Sequence, residues 1–539
     1  VVAVARLESV TGPETEVASG RPEVSMQVDA HDRQQLEVRF VYGLGGLREL
    51  EVESEIYFFV PRNFALGPTT YPKHDFYGDL TTLMRLDAAP LPLERLADPG
   101  DPASPLSALE RGLEGLAGPG APPPSVALPT FVRLHAHVLV EAARAELRAV
   151  RESWRPGERG SYGSPEARIE AIDRSIDRVR RALTTFRRVA DAYSPYADVT
   201  HAALGSAFRL ADEYVSLFVE ERLATLAAGL AEDPQVFDGS AAVAAAIERL
   251  TELARSEARH RQRHALLCFD DEKEGHGEYF VHRVSMLKKA VQQALYLDAR
   301  KAQADTFVRN GVGAVGAALA AIWALAMQVP ATVAQMSTST QATFFAVAVL
   351  AYVAKDRIKA ATNEYLVPKL RRFDYVTRIQ ASALRAIGLG MLDAKVLESM
   401  RFVPVDSVPA GVRAERGERR RHQALDFQEE VIHYRKKLEI DEGDQPEPLP
   451  AGYGLRDIVR FNVRHLLVRL DDPSDRIRYF DPERDAFAEA KVPRVYHLNL
   501  VLRVRLTMPD GKVEEQLTHA RIVLNKQGIV RVEQGATSR

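Results

Sequence analysis

The stretch EARHRQRHALLCFDDEKEGHGEYFVHR, residues 257–283, holds the densest set of side chains able to bind a metal. His260, His264 and Cys268 recur at intervals of four, so on one helix they form a continuous edge, and His276 and His282 can return on the following segment. Imidazole and thiolate are the ligands zinc takes in a tetrahedral set. There is no CxxC pair and no HExxH helix, so zinc is the one metal this supply would suit rather than one it specifies, and no other cofactor is expected. Asp270, Asp271, Glu272, Glu274 and Glu278 offer oxygens without the order of a calcium loop and read as a solvated loop.

A second candidate is RAERGERRRHQ, residues 413–423. The guanidinium groups of Arg413, Arg416, Arg419, Arg420 and Arg421 could fork onto the phosphates of anionic lipid headgroups or of nucleic acid. No aromatic platform or recognition helix is interleaved with them, so nucleic acid is an unlikely partner. His465, His497 and His519 fall in expected C-terminal strands; aligned in register they would share a pH response near neutrality. The chain has no phosphate loop with its lysine, no nucleophile elbow and no metal-hydrolase core. Gly43, Gly45 and Gly46 precede a strand-like run rather than a helix, which makes them turn residues.

These candidates sit in a chain of 539 residues, long enough for several cores. Its 71 Lys and Arg nearly balance 74 Asp and Glu, so the net charge of -3 gives no overall attraction to polyanions. The single cysteine excludes an intrachain disulfide framework and fits a reducing compartment. The first twenty residues hold no apolar run of useful length, so no cleavable signal peptide is expected.

The elements that must position the candidates follow from periodicity. Residues 1–97 form an N-terminal β-containing region: Leu36, Val38, Phe40 and Tyr42, then Leu50, Val52, Ile56, Phe58 and Val60, alternate with polar positions and predict a hairpin with one wet face. Residues 98–128 read as a proline- and glycine-rich linker with one short helix from Pro105 to Leu116. Residues 129–310 form a cytoplasmic helical bundle, in which Ile169, Ile172, Ile176, Val179, Leu183 and Phe186 mark one core-facing stripe.

Residues 311–355 differ from the rest. No charged residue lies between Arg309 and Lys355, and Val312 to Val329 is apolar or small on every side apart from Gln328 near its end. Eighteen helical residues rise roughly 27 Å, close to the thickness of a hydrocarbon core. Arginines and lysines flank the stretch at both ends and are missing from the turn QMSTSTQ, which places both flanks on one side of a bilayer. Gly313, Gly316, Ala317 and Ala321 on one leg, and Ala342 and Ala346 on the other, would let the legs pack as a transmembrane hairpin and support homo-oligomers. The helix carrying Leu287, Val291 and Leu295 would run into the first leg. Residues 356–400, with Val376 and Ile379, would continue as an amphipathic helical stalk.

Residues 401–539 change period again: DIVRFNVRHLLVRL and YHLNLVLRVRLTM predict a mainly antiparallel C-terminal β domain, to which the N-terminal strands could contribute. The expected fold class is an α+β multidomain membrane protein, two-pass in an inner or plasma membrane with both termini cytoplasmic. It would act as a scaffold, sensor or effector through assembly rather than turnover. The alternatives are a membrane-attached, metal-dependent hydrolase and a module binding anionic lipid or nucleic acid.

Overall fold

The computed structural model describes residues 24–43, 50–87, 91–98, 100–101, 104–114, 127–154, 165–197, 202–232, 240–270, 275–303, 373–380, 393–418, 429–440, 454–508 and 511–535, with ten separate positions between 314 and 360. Two antiparallel sheets face each other. The smaller runs β1-β2-β9-β4, from β1 (Val24–Ala30), β2 (Gln35–Gly43), β4 (Leu80–Asp87) and β9 (Gly454–Asn462). The larger runs β14-β13-β12-β3-β8-β7-β6-β5. Its strands are β3 (Leu50–Pro61), β5 (Asp298–Gln303), β6 (Tyr375–Gln380), β7 (Asp393–Val403), β8 (Glu429–Ile440), β12 (Tyr496–Thr507), β13 (Val513–Asn525) and β14 (Gly528–Gln534). Among the described residues β10 (Ser474–Asp481) and β11 (Ala486–Pro493) pair only with each other.

Alternation fixes which faces meet. On β3, Val52, Ile56, Phe58 and Val60 join the main core while Tyr57 and Phe59 join a second cluster on the opposite face, as the two-residue strand period requires. Phe58 meets Phe461 of β9 with ring centroids 5.1 Å apart, and the Tyr42 hydroxyl of β2 lies 2.7 Å from Ser54 Oγ. These contacts join the sheets into a sandwich.

The strands before and after the glycine turn were expected to pair as a hairpin. They instead enter different sheets: β2 lies between β1 and β9, and β3 between β12 and β8. Each has a ladder partner several hundred positions along the chain, as in the Val38↔Val459 and Phe58↔Ile432 pairings, and local periodicity carries no information about such partners. The expected wet face of β3 is also covered. Glu55 is 3 % exposed and is held by His433 at 2.8 Å and Arg503 at 3.2 Å, while Glu53 pairs with Arg435 and Arg505.

Helices form the second half of the molecule. The short α1 (Lys73–Asp79), α2 (Leu93–Leu96) and α3 (Pro105–Glu114) precede α4 (Ala127–Ser153), α5 (Pro165–Ala197), α6 (Ala202–Glu232), α7 (Ala241–Arg263) and α8 (His276–Gln292). The stripe on α5 is buried as its spacing requires, with Ile172, Val179 and Phe186 at 0 % exposure. Helix α4 carries two buried histidines. His135 is fully buried against Phe186, ring centroids 5.5 Å apart, and neither ring nitrogen has a hydrogen-bond partner among the described residues. His137 is nine-tenths buried. Burial lowers both imidazoles to about 4.

The membrane reading does not survive. Among the described residues no helix is long and apolar enough to cross a bilayer, so the two-pass anchor, its lipid partner and the inner- or plasma-membrane placement are withdrawn. Freedom from charge is a condition for a span and does not by itself make one. Gly313, Gly316, Ala342 and Ala346 lie outside the described residues; Ala317 and Ala321 are helical and exposed. Nor does α8 run on into this segment. It ends at Gln292, and Asp298–Gln303 is strand β5. The expected stalk departs from helix too, because Val376 and Ile379 lie on β6. The first part of the strand expected in DIVRFNVRHLLVRL holds as β9, but it stops at Asn462, and Arg464–Leu467 is a short helix.

One turn joins the two sheets at a point where only glycine fits. Gly528 has φ +138°, and a Cβ there would stand 2.2 Å from the Arg33 carbonyl oxygen, which also accepts a 2.7 Å bond from the Ile529 amide. Gly528→Ala is expected to cost about 2–4 kcal/mol from strain and the lost contact. A denaturant midpoint equal to that of the parent chain would contradict this.

Candidate functional site

Three carboxylates are buried where the two sheets and α1 meet: Asp374, Glu398 and Asp457, at 2 %, 1 % and 1 % exposure. Strand pairing puts Gln303, Tyr375, Glu398, Lys436 and Ser54 in one row across β5, β6, β7, β8 and β3. Period two turns that row toward the smaller sheet, where Lys436 Nζ donates to Asp457 Oδ1 at 2.6 Å. Both partners of this pair are sealed from solvent.

The row reaches the surface at β5 and α1. Glu398 accepts a 2.6 Å bond from the Tyr434 hydroxyl through one oxygen and lies 2.8 Å from Lys301 Nζ through the other. Asp374 accepts from Lys73 Nζ at 2.7 Å, from the Tyr77 hydroxyl at 3.0 Å and from the Met400 amide at 2.8 Å. Lys73 and Lys301 are the half-exposed end of the cluster. The Lys301 ammonium stands 4.4 Å from the centroid of Tyr375 and 5.5 Å from that of Tyr77, and the two rings meet edge to face at 4.6 Å. Two aromatic faces and a carboxylate around one nitrogen make a cation site.

Electrostatics separate the two deepest acids. Burial acts to raise both. At Glu398 the charges of Lys436 and Lys301, with hydrogen bonds from Lys301 and Tyr434, outweigh burial and hold the carboxyl below its usual range. At Asp457 burial prevails over Lys436, and the charge of Glu398 adds to it, so the carboxyl is raised. Burial, reinforced by Asp374, also pushes the Tyr77 hydroxyl far above its ordinary value. Burial and Glu398 do the same for Tyr434. Phenols held that high neither accept nor release protons near neutrality.

The residues singled out from the sequence lie elsewhere. His260 Nε2 is 2.7 Å from Asp212 Oδ2, and Asp212 also accepts from Arg187, whose guanidinium forks onto Glu257 at 2.9 and 2.6 Å. That network ties α5, α6 and α7 together. His264 ends α7 with its ring 4.4 Å from that of His260. Cys268 is half-buried, and its carbonyl lies 2.9 Å from His276 Nε2; His282 is exposed. Among the described residues no group of three or more His, Cys, Asp or Glu side chains is placed to hold a metal ion. Asp271, Glu272 and Glu274 lie outside the described residues.

Of the basic stretch, Arg413 is exposed, but Arg416 is buried, donates to Glu429 at 2.7 Å and lies 5.9 Å over Phe59. It helps pack α9 (Ala410–Glu418) onto the outer face of the large sheet. Arg419, Arg420 and Arg421 lie outside the described residues. The three C-terminal histidines are not brought together. His465 bonds Asp79 at 2.6 Å from the short helix after β9, while His497 and His519 lie on β12 and β13, the latter 3.2 Å from Asn499.

Sequence reasoning passed over the cluster because its members are scattered. One signal was available: Lys436 stands in the apolar phase of β8 between Tyr434 and Leu438, and Glu398 in that of β7 between Val396 and Met400. A charge at an inward position of a strand needs a buried partner. Comparison of the chain with protein-family models, with curated proteins and with solved structures finds no match in any of the three.

Proposed function

We propose that this chain works by binding rather than by turnover, and that the mouth between α1 and the β5–β6 edge recognises a cation, with the ammonium of a lysine in an extended peptide as the form it fits. The observation that carries this reading is the enclosure of one ammonium nitrogen by Glu398 at 2.8 Å and by the faces of Tyr375 and Tyr77. A cation so placed gains from the ring quadrupoles and from a carboxylate that is already desolvated. An anion at the same place would have to draw Lys73 and Lys301 away from buried acids, leaving those acids uncompensated.

The test is calorimetric titration of the full chain with the acetylated, amidated peptide ARKAQ and with its norleucine analogue, which keeps the stem and removes the charge. With the resident ammonium removed by Lys301→Met, binding of the lysine peptide alone, weakened at least tenfold by adding Glu398→Gln and several-fold by adding Tyr375→Ala, is the expected result. Equal binding of the two peptides, or binding to Lys301→Met indifferent to Glu398→Gln, overturns the reading.

A further inference from the structure

The cation in the site belongs to the chain itself, and the strand that carries it is poorly secured. β5 is the terminal strand of the large sheet, with β6 on one side and no neighbour on the other among the described residues. Residues 299–303 are all exposed, so hydrophobic burial adds little to their six-residue ladder. The inward tie is Lys301, which reaches Glu398 and the two tyrosines.

We infer that β5 is a resident plug: Lys301 fills the cation site as an internal ligand, and a lysine-bearing peptide strand binds by replacing β5 against β6. This rests on the cation-binding reading above and names how access to that site is controlled. The exposed edge of a sheet is a template for an added strand, with backbone bonds supplying affinity and an alternate side chain supplying specificity. Here the ladder of β6, Tyr375–Gln380, would receive the backbone, and the ammonium would enter beside Glu398. While β5 is docked, the apparent affinity for any competitor falls by the fraction of molecules in which the strand is released. The other acids at the mouth have lysines of their own: Asp374 is bound to Lys73, and Asp457 to Lys436, whose charge also acts on Glu398.

Titration of Lys301→Met and Lys301→Arg with the lysine peptide tests this. Lys301→Met should bind at least tenfold more tightly than the parent chain, and Lys301→Arg, which keeps a cation in place, should match the parent. If Lys301→Met and the parent bind equally, and Glu398→Gln weakens both, the plug is overturned while the cation site stands. If binding to neither depends on Glu398, both fail. Amide exchange gives an independent reading on the parent chain: peptide should speed exchange at 298–303 while 375–380 stays protected. Slow exchange retained at 298–303 in the saturated complex overturns displacement.

Discussion

Lys436→Met is expected to destabilise the sandwich by about 3–5 kcal/mol, the usual cost of removing one partner from a buried ion pair. The loss falls on two acids at once. Asp457 loses its 2.6 Å donor, and Glu398 loses the larger of the two lysine charges that keep it ionised. Asp457→Asn should cost less, because Lys436 still has Glu398 across the β7–β8 pairing. Lys436→Met combined with Asp457→Leu should recover the part of the loss that falls on Asp457, since an apolar pair of similar volume replaces that desolvated ion pair. Denaturant midpoints for the three variants check this. A single mutant no less stable than the double mutant would show that the pair is not buried as described.

The second large effect is on pH. An unfolded histidine titrates near 6.5, whereas His135 and His137 titrate near 4 in the fold. Between those values the unfolded chain binds more protons, so the stability present above pH 6.5 is lost as pH falls toward 4. The loss is about 2 kcal/mol per histidine at pH 5 and about 3 kcal/mol at pH 4. Phe186 is the neighbour of His135. Around His137, Arg85, Arg456 and Lys288 reinforce the lowering and Glu141 opposes it, all more weakly than burial. Carboxylates with lowered values, such as Glu55 and Glu398, lose their contribution only at more acid pH. In the window from 6.5 to 5 the two buried imidazoles lower stability, with a part of the same sign from His497, while the raised carboxyl of Asp457 acts in the opposite sense. Helix content should melt at lower denaturant at pH 5 than at pH 7, and His135→Leu should remove close to half of the difference. An unchanged difference in that variant would contradict the assignment.

Those buried histidines illustrate how unevenly the sequence discloses the structure. The stripe on α5 and the alternation along β3 and β12 are written in neighbouring residues, and each appears where its period places it. The helix at Pro105 within the proline-rich stretch was legible for the same reason. Pairing was not. Nothing local tells β3 to lie between β12 and β8, or β2 beside β9. At 311–355 freedom from charge suggested a span, but a span also needs a helix long and apolar enough, and among the described residues there is none. The cation site was hidden for a related reason. Lys73, Lys301, Asp374, Glu398, Lys436 and Asp457 come from six separate elements or turns, and apart from Glu398 and Lys436, which break the apolar phase of their strands, they look like ordinary surface charges until the strands are set side by side.

The setting of β3 at the middle of the large sheet has a consequence for biosynthesis. Glu55 and its partner His433 are separated by 378 residues. At a translation rate of roughly 5–20 residues per second, β3 leaves the ribosome about 20–75 s before β8 exists to receive it. Through that interval Ile56, Phe58 and Val60 have neither ladder nor core, while α4 to α8 emerge and can already pack among themselves. The nascent chain thus needs a holdase, or a temporary shelter on its own helices, until the far strands arrive.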